Sequence, residues 1–448
     1  MGATLKCGTC RSFLTPPLGV ELEGTFARRK ASGVLSDLEV NTVVLDDGAA
    51  ELAFLSVDVC VIEDAVVEEL LSRIHDASGI PKHCIFITAT HTHSAPTLGS
   101  GLFDAAEPDV LYIALAKKII VSSVVRAQSA KHPVTMTAGQ SKNADYQFNR
   151  RLHRPDGSII ANFVKDPLIA QAVSSGETDP ALFVAKLTDE NGKAVALFVN
   201  YGQHNNAVSC TLITADMAGE MRSILRRVYG EEIVIHFAMG AAGDVNWIDH
   251  TNPDWDALDS LRVFGRSLAG SVLQADAASR PVDVGHITVE RRILDIPDRP
   301  LQDYDLCDDL TFGTGEIAQD NWAGYHRIRD YYRAHPALAQ NELAVSVVAF
   351  SPELAIAAVP VEIFCAFTLD LRKHSPFRNT MTYALTNGYG GYVCTHQAFR
   401  EGGYEVRKAP GGSHLSVDAG YLIFDEIKDM LKAASKRGGS RGKKGENL

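Results

Sequence analysis

Apolar runs with the period of a helix alternate along this chain with shorter runs that are typical of strands. Apolar residues recur about every four positions from Ile62 to Ile74, which predicts an amphipathic helix. Further helices are predicted over residues 109–126, 217–227 and 421–432. Because helices alternate with short strands, we predict the α/β class, with mixed β-sheets flanked by helices and a metal site at the strand ends.

Short apolar runs bounded by turn signals predict the strands. Residues 85–89 and 233–238 are too short for helices and are interpreted as buried strands. Two hairpins are predicted, one over residues 182–201 with an Asn-Gly turn and one over residues 345–359 with a Ser-Pro-Glu turn. His236, inside one of the buried strands, is expected to be a hydrogen-bonded core residue.

No linker long enough to separate two domains interrupts this pattern. The predicted division is a leader over residues 1–14, one catalytic domain over residues 15–433 and a basic, disordered tail over residues 434–448. Residues 301–336 are predicted to form a helical insertion with packed aromatic residues, the alternative being a substrate lid. Cys7 and Cys10 form a lone C-x-x-C, which we interpret as two ordinary thiols.

Composition and charge exclude several classes of protein. With 46% hydrophobic and 22% charged residues the chain is globular, and its formal net charge of −12 repels nucleic acid. Prolines and glutamates interrupt the most apolar region, residues 343–367, so no membrane insertion is predicted. Sparse cysteines and the lack of an export signal predict a cytoplasmic location. A small molecule is the expected partner, and no pattern indicates an oligomeric state.

Side chains with catalytic potential follow the ends of predicted strands, where open α/β sheets place their sites. His91 and His93 follow the strand at 85–89, and on an extended segment both rings face the same side. His204 and Glu362 each follow a predicted hairpin. Two histidines and a carboxylate are a donor set for catalytic zinc. The alternatives are hydrogen-bonded loop histidines and a structural ion pair.

Five motifs, in order along the chain, carry a family resemblance. They are Thr90-His91-Thr92-His93-Ser94-Ala95-Pro96, His204 after its strand, Gly243-Asp244-Val245, Pro360-Val361-Glu362, and Asn387-Gly388-Tyr389-Gly390-Gly391-Tyr392-Val393. Two further matches are Thr15-Pro16-Pro17-Leu18-Gly19 and Asn149-Arg150. In this order the motifs resemble the catalytic domain of the neutral/alkaline, non-lysosomal ceramidases, from about residue 15 to residue 404.

The resemblance implies one zinc ion per chain and a set of residues around it. The zinc ligands that it implies are His91, His204, Glu362 and Tyr392. The catalytic residues that it implies are His93 for proton transfer, Arg150 facing the substrate and Tyr404 steadying the oxyanion. A zinc ion held in this way would polarise a carbonyl group and lower the pKa of a bound water.

Two of these assignments leave alternatives open. Arg151 is the alternative to Arg150 for binding a substrate carboxylate. Asp216 and Asp244 are candidate acceptors for the ring N–H groups of the ligand histidines, or else caps of helices or turns.

The chain also departs from the ceramidases. It carries Gly243-Asp244-Val245-Asn246-Trp247 where they carry Gly-Asp-Val-Ser-Pro. Asn246 is a further catalytic candidate, which can donate a hydrogen bond but cannot act as a nucleophile. The additional C-terminal domain of ceramidases is expected to be absent. We therefore expect a zinc-dependent hydrolase for an amide bond of a small, soluble compound, not ceramide. The alternatives are a metal-dependent ester or lactone hydrolase, or a lyase acting on a sugar-like compound, and a non-catalytic binding protein on the same fold.

Overall fold

The structure is a computed structural model of the 448-residue chain. It describes residues 4–25, 28–101, 106–164, 169–208, 210–252, 256–306, 308, 316–336, 338–409 and 412–441. For residues 316–318, 320, 321 and 438–441 it describes the backbone alone.

The helices lie against the faces of two β-sheets. The α-helices of the described residues are α1 (Asp64–Ser78), α2 (Val110–Ser129), α3 (Asp216–Tyr229), α4 (Ala257–Ala277), α5 (Asp303–Leu306), α6 (Glu316–Ala334), α7 (Cys365–His374), α8 (His396–Glu401) and α9 (Ala419–Arg441). Two short 3₁₀ helices cover Lys82–Cys84 and Ile169–Gln171. In α1 the predicted apolar stripe is buried, including Val66, Leu70 and Ile74, because these residues lie on one face of the helix.

Among the described residues, nine strands form one mixed sheet. They are β1 (Lys6–Phe13), β2 (Glu39–Asp46), β3 (Glu51–Val57), β4 (Ile85–Ala89), β5 (His132–Lys142), β6 (Ala181–Asp189), β7 (Ala194–Tyr201), β8 (Val234–Met239) and β9 (Arg280–Val282). Their order is β8-β7-β6-β5-β1-β2-β3-β4, with β9 paired to β5. The pairs β3–β4 and β7–β8 are parallel and the others are antiparallel.

A second, four-stranded sheet contains the predicted C-terminal hairpin. Its strands are β10 (Thr288–Pro297), β11 (Gln340–Ser351), β12 (Leu354–Ala358) and β13 (Asn379–Tyr383), in that order. The hairpin pairs β6–β7 and β11–β12 are both antiparallel, as the turn sequences predict. With two mixed sheets and flanking helices, the predicted fold class is confirmed.

Short strands tie the loops around the sheet ends together. The pairs are Glu21–Leu22 with Arg29–Lys30, Gly33–Val34 with Leu212–Ile213, Phe148–Asn149 with Val245–Asn246, and Glu362–Ile363 with Tyr392–Val393. A three-stranded sheet places Arg151–His153 between Ile159–Ala161 and Val173–Ser174. Among them, the pairs of Gly33–Val34 with Leu212–Ile213 and of Phe148–Asn149 with Val245–Asn246 join segments that are distant in sequence.

His236 on β8 lies where the two sheets pack together. Its ring is surrounded by the rings of Phe54, Phe198 and Tyr383, with centroids 5.2 to 6.2 Å away. The side chain is buried as predicted, but neither ring nitrogen has a hydrogen-bond partner among the described residues. The expected hydrogen bond is therefore wrong. Burial lowers the pKa of this imidazole to about 3.

Both ends of the described chain differ from the predicted boundaries. Residues 6–13, inside the segment predicted as a leader, form β1 in the interior of the main sheet. Hydrophobic patterning does not reveal this strand, because its buried positions include cysteines and a glycine instead of branched apolar residues. Cys7 and Cys10 are free thiols, as interpreted.

At the other end, α9 continues to Arg441, into the segment predicted as a disordered tail, and residues 442–448 lie outside the described residues. The division into one catalytic domain stays a prediction. Within the described ranges, none of the helices is both long enough and apolar enough to cross a membrane.

Candidate metal centre

Three side chains with ligand atoms converge where strands of both sheets end. His91 lies two residues after β4, His204 three residues after β7 and Glu362 four residues after β12. Each residue follows the carboxyl end of its strand, and these three strand ends lie close together in the fold. The structure thus brings together three of the four ligands that the sequence predicts, from segments more than 100 residues apart.

The backbone of His91 is left-handed, with φ of 65°. The sequence analysis assumed that the segment from His91 to His93 is extended, and this assumption is wrong. The His91 N–H donates to the Val59 carbonyl at 3.0 Å, which holds the turn against the residues after β3. The turn still brings the two rings together, with Nε2 atoms 3.3 Å apart. Non-glycine residues in this conformation are uncommon and cluster at functional sites.

Backbone carbonyls orient the two ligand histidines. The Nδ1 atoms of His91 and His204 lie 2.8 Å from the carbonyl oxygens of Cys60 and Ala242 respectively. Each Nδ1–H therefore donates to a carbonyl, and each Nε2 keeps its lone pair. The two Nε2 atoms are 3.0 Å apart. Since each proton is on Nδ1, no hydrogen bond joins the two Nε2 atoms. A cation bound to both nitrogens would make this short distance favourable.

The carboxylates of Asp216 and Asp244 do not serve as these acceptors. Asp216 accepts from the backbone N–H groups of Ala207 and Val208, both at 2.9 Å, and so holds the loop that follows His204. Asp244 accepts from the N–H of Cys365, at the start of α7, at 2.8 Å. Of the two roles left open by the sequence, the structure supports the capping and loop role for both residues.

The two carboxylate oxygens of Glu362 have different surroundings. Oε2 lies 3.4 Å from His91 Nε2 and 3.8 Å from His204 Nε2, and it has no hydrogen-bond partner among the described residues. Oε1 accepts from the hydroxyl of Tyr389 at 2.9 Å. A buried carboxylate oxygen without a partner is costly unless it binds a cation. The three side chains therefore fit a metal ion, which no part of the structure contains.

The protonation states of these groups agree with that fit. Burial, followed by the charge of Arg150, lowers the pKa of His204 well below its ordinary value. Burial would raise the pKa of Glu362, but His91 and Arg150 outweigh it and hold that pKa below its ordinary value. A neutral imidazole and an ionised carboxylate are the forms that bind a metal.

Tyr392 lies beside these three residues on the short strand paired with Glu362–Ile363. Its hydroxyl accepts from Arg150 Nη2 at 3.1 Å. Burial raises the pKa of this phenol well above its ordinary value, although Arg150 opposes the shift. Coordination by Tyr392 stays a prediction.

Arg150 belongs to a buried ion network and is not a surface charge. Its Nε donates to Glu405 Oε1 at 2.8 Å, while Arg151 Nη1 donates to Glu405 Oε2 at 2.7 Å. All three side chains are at most 3% exposed. Arg150 Nη1 lies 3.4 Å from the ring of His204, whereas Arg151 extends to the Gly402 carbonyl at 2.7 Å. Of the two arginines, Arg150 is therefore the one beside the candidate ligands.

Aromatic rings surround the guanidinium of Arg150. It lies 5.4, 5.5 and 5.9 Å from the ring centroids of Tyr392, Tyr404 and Phe163. Tyr404 therefore lies beside Arg150, and its role at an oxyanion stays a prediction. It also packs against a cluster that contains Tyr325 of α6. The 301–336 segment contains α5 and α6, and its Tyr325 is buried as predicted, whereas Tyr331 is 58% exposed; residues 307 and 309–315 lie outside the described part.

His93 and Asn246 occupy different positions relative to the three ligands. His93 is adjacent to His91, and its carbonyl accepts from Arg29 Nη2 at 2.7 Å. Asn246 is bonded elsewhere: its amide exchanges two hydrogen bonds with the amide of Asn162, at 2.6 and 2.7 Å. Its Oδ1 also accepts from the N–H of Ile248 at 3.0 Å. Catalytic roles for both residues stay predictions.

The sequence analysis missed two side chains that support this site. Glu405 directly follows the predicted Tyr404, but no pattern in the sequence connects it with Arg150 or Arg151. Tyr389 lies inside the glycine-rich motif, but nothing in its spacing connects it with Glu362. The carbonyl acceptors of Cys60 and Ala242 have no signal in the sequence, because any residue supplies a backbone carbonyl.

Comparison with known proteins agrees with the fold. The model of the family described as neutral/alkaline non-lysosomal ceramidase, N-terminal, matches residues 16–246, just over half of the chain. The fold is similar to neutral ceramidase from Pseudomonas aeruginosa, with a TM-score of 0.73 and 18% identity, over 97% of this chain and 75% of that chain. It is also similar to a ceramidase complexed with C2, with a TM-score of 0.74 and 17% identity, over 97% of this chain and 76% of that chain.

Proposed function

The chain belongs to the neutral/alkaline non-lysosomal ceramidase family, and from this premise we propose that it is a zinc-dependent hydrolase for the amide bond of a small, soluble N-acyl compound other than ceramide. Family membership supports a hydrolase that acts on amide bonds. The metal and the substrate class are inferred from the chain's own residues.

One observation carries the proposal, namely the three ligand atoms that face one another. Nε2 of His91, Nε2 of His204 and Oε2 of Glu362 lie 3.0 to 3.8 Å apart, and the two rings are oriented with their lone pairs inward. Two imidazoles and one carboxylate, with further positions left open, are the donor set of many catalytic zinc sites. When bound, zinc supplies a Lewis acid that polarises the scissile carbonyl and lowers the pKa of water.

Arg150 and Tyr404 would bind the oxygen that becomes negative during the reaction. The Nε and Nη2 groups of Arg150 donate to Glu405 and Tyr392, but Nη1 faces His204, whose Nδ1–H already donates to Ala242. Nη1 is therefore placed to donate to a substrate oxygen or carboxylate beside the ligands. His93 lies close enough to the same centre to transfer a proton to the leaving amine.

The position of Asn246 supports a substrate other than ceramide. Ceramidases carry a serine at this place in the motif, whereas the Asn246 amide is paired with Asn162 and offers no hydroxyl group. The buried charge of Arg150 also favours a substrate with a polar or anionic group next to the amide bond. Both features concern the substrate and leave the three candidate ligands unchanged.

Metal analysis of the untagged protein tests the first part of the proposal. We expect about one zinc ion per chain, held by His91, His204 and Glu362, and its loss in His91→Ala and Glu362→Ala. His236→Leu is the matched control, since it removes a buried imidazole far from the ligand set and should retain the zinc. No stoichiometric metal after reconstitution would refute the ligand assignment and favour a non-catalytic binding protein.

A substrate screen tests the second part. We expect turnover of soluble N-acyl compounds, loss of turnover in the zinc-free variants, and none of ceramide in mixed micelles. Turnover of esters or lactones without turnover of N-acyl compounds would replace amide hydrolysis by the alternative reaction on the same donor set. Cleavage of ceramide at a comparable rate would show that the Asn246 argument is wrong.

A further inference from the structure

The hydroxyl of Tyr389 is hydrogen-bonded to one of the two carboxylate oxygens of Glu362. It donates to Oε1 at 2.9 Å, while Oε2 faces the Nε2 atoms of His91 and His204. The carboxylate is nearly fully buried, so water does not compete for either oxygen. With Oε1 already hydrogen-bonded, Oε2 alone is available to a cation that binds the two Nε2 atoms.

The loop that carries Tyr389 is bonded to β4, the strand that delivers His91. The Asn387 side chain donates to the Ile85 carbonyl at 2.7 Å and accepts from the Ile87 N–H at 2.8 Å. The Asn387 N–H donates to the Ile87 carbonyl at 2.9 Å. A left-handed backbone at Asn387, with φ of 59°, allows the amide and the main chain to contact the same strand. The positions of Tyr389 and His91 are thus set by one strand.

The backbone next to Tyr389 is held from two further sides. The Tyr389 N–H donates to Asp64 Oδ1, in the first turn of α1, at 3.0 Å. The Glu362 N–H donates to the Gly391 carbonyl at 2.9 Å, two residues beyond Tyr389. These contacts fix the distance between the phenol and the carboxylate on both the donor and the acceptor side.

We propose that Tyr389 is a positioning residue for the metal centre, which makes Glu362 bind through Oε2 alone. The inference rests on the proposed function, because it requires a metal ion among His91, His204 and Glu362. Hydrogen-bond partners of metal ligands orient the ligands, and their removal typically weakens metal binding by about 10- to 100-fold. Without the phenol, Oε1 is free to rotate toward the ion as a second donor.

The test compares Tyr389→Phe with the wild type and with Tyr383→Phe. Tyr383 is a fully buried phenol whose hydroxyl is hydrogen-bonded, among the described residues, to Met381 Sδ alone, at 3.9 Å, so it controls for the loss of a buried hydroxyl. Zinc affinity is measured by competition with a chelator, and coordination is read from the visible absorption of the Co²⁺-loaded proteins. We expect Tyr389→Phe to bind zinc about 10- to 100-fold more weakly and to show the weaker cobalt bands of a higher coordination number.

The outcomes separate this inference from the proposed function. A wild type that binds neither ion stoichiometrically refutes both. If the wild type binds zinc, and Tyr389→Phe has the same affinity and the same cobalt spectrum, only the role of Tyr389 is refuted. If Tyr389→Phe does not fold, X-ray absorption on the zinc-loaded wild type decides, since a carboxylate bound through both oxygens would overturn the inference.

Discussion

Glu405 is a buried acid that bridges two buried guanidinium groups beside the candidate metal centre. Its Oε1 accepts from Arg150 at 2.8 Å and its Oε2 from Arg151 at 2.7 Å. Burial alone would raise the pKa of Glu405, but the two arginines outweigh it and hold the pKa below its ordinary value. Glu405→Gln keeps the shape of the side chain and removes the charge. Its amide N–H₂ group must then face one of the guanidinium groups, donor against donor.

The expected cost follows from the burial of the three partners. Removing one partner of a buried ion pair typically costs about 3 to 5 kcal/mol, because the remaining charge stays uncompensated. Arg151 keeps its bond to the Gly402 carbonyl and Arg150 keeps its bond to Tyr392. We therefore expect the lower end of that range, about 3 kcal/mol of unfolding free energy.

Glu401 supplies the matched control, because it contacts the same Arg151 from a more exposed position. Its Oε2 lies 3.4 Å from Arg151 Nη2, and its side chain is 17% exposed against 1% for Glu405. We expect Glu401→Gln to lose less than about 1 kcal/mol, as exposed ion pairs do. Unfolding in urea, followed by circular dichroism at pH 7.5, measures both losses. Equal losses in the two variants would refute the argument that burial sets the energy of this network.

The pH dependence gives the same experiment a second readout. Since the folded pKa of Glu405 lies below its unfolded value of about 4.3, its contribution is complete above that value and is lost as the pH falls through the folded pKa. The difference in unfolding free energy between the wild type and Glu405→Gln should therefore become smaller at acid pH. A constant difference down to the acid limit of folding would contradict this assignment.

Two further predictions concern the core and the asparagine pair. The imidazole of His236 has a pKa of about 3 in the folded state, against an ordinary value of 6.5. Its contribution to stability is therefore complete above pH 6.5 and decreases as the pH falls. Between pH 8 and pH 5 the wild type should lose about 2 kcal/mol more unfolding free energy than His236→Leu. Parallel pH profiles in urea unfolding would contradict it. Asn246→Ala leaves the Asn162 amide buried without the Asn246 amide and should lower the unfolding free energy by about 1 to 3 kcal/mol. The zinc content should stay unchanged. Loss of zinc would instead place Asn246 in the metal centre.

The elements that the sequence predicts are those in which local pattern and burial agree. The strand at 85–89 is apolar at nearly every position and is buried at every position, so its pattern identifies it. Strand β1 is buried only at Cys7, Gly8 and Cys10, and the main sheet holds it through backbone pairing with β2. The hydrophobic pattern therefore fails to identify a strand whose position is determined by pairing with its neighbour and not by its own side chains.

The same distinction separates the predicted site residues from the missed ones. His91, His204 and Glu362 are identifiable because each is a polar residue directly after an apolar run. Glu405 acts on Arg150 across 255 positions of sequence, and no local pattern records that contact. The conformation of His91 was also beyond prediction, since its φ of 65° depends on the Val59 carbonyl.

The two halves of the site are held by different forces, and this difference bears on how its substrate could change. The ligand histidines are oriented by the carbonyls of Cys60 and Ala242, which any side chain at those positions supplies equally. Arg150, on the substrate side, is held by one carboxylate and one phenol, so substitution of either would move it. Under the proposed function, a few substitutions around Arg150 are therefore enough to alter what binds. The three candidate ligands remain in place meanwhile. A change of substrate that keeps these ligands is therefore physically easier than one that replaces them.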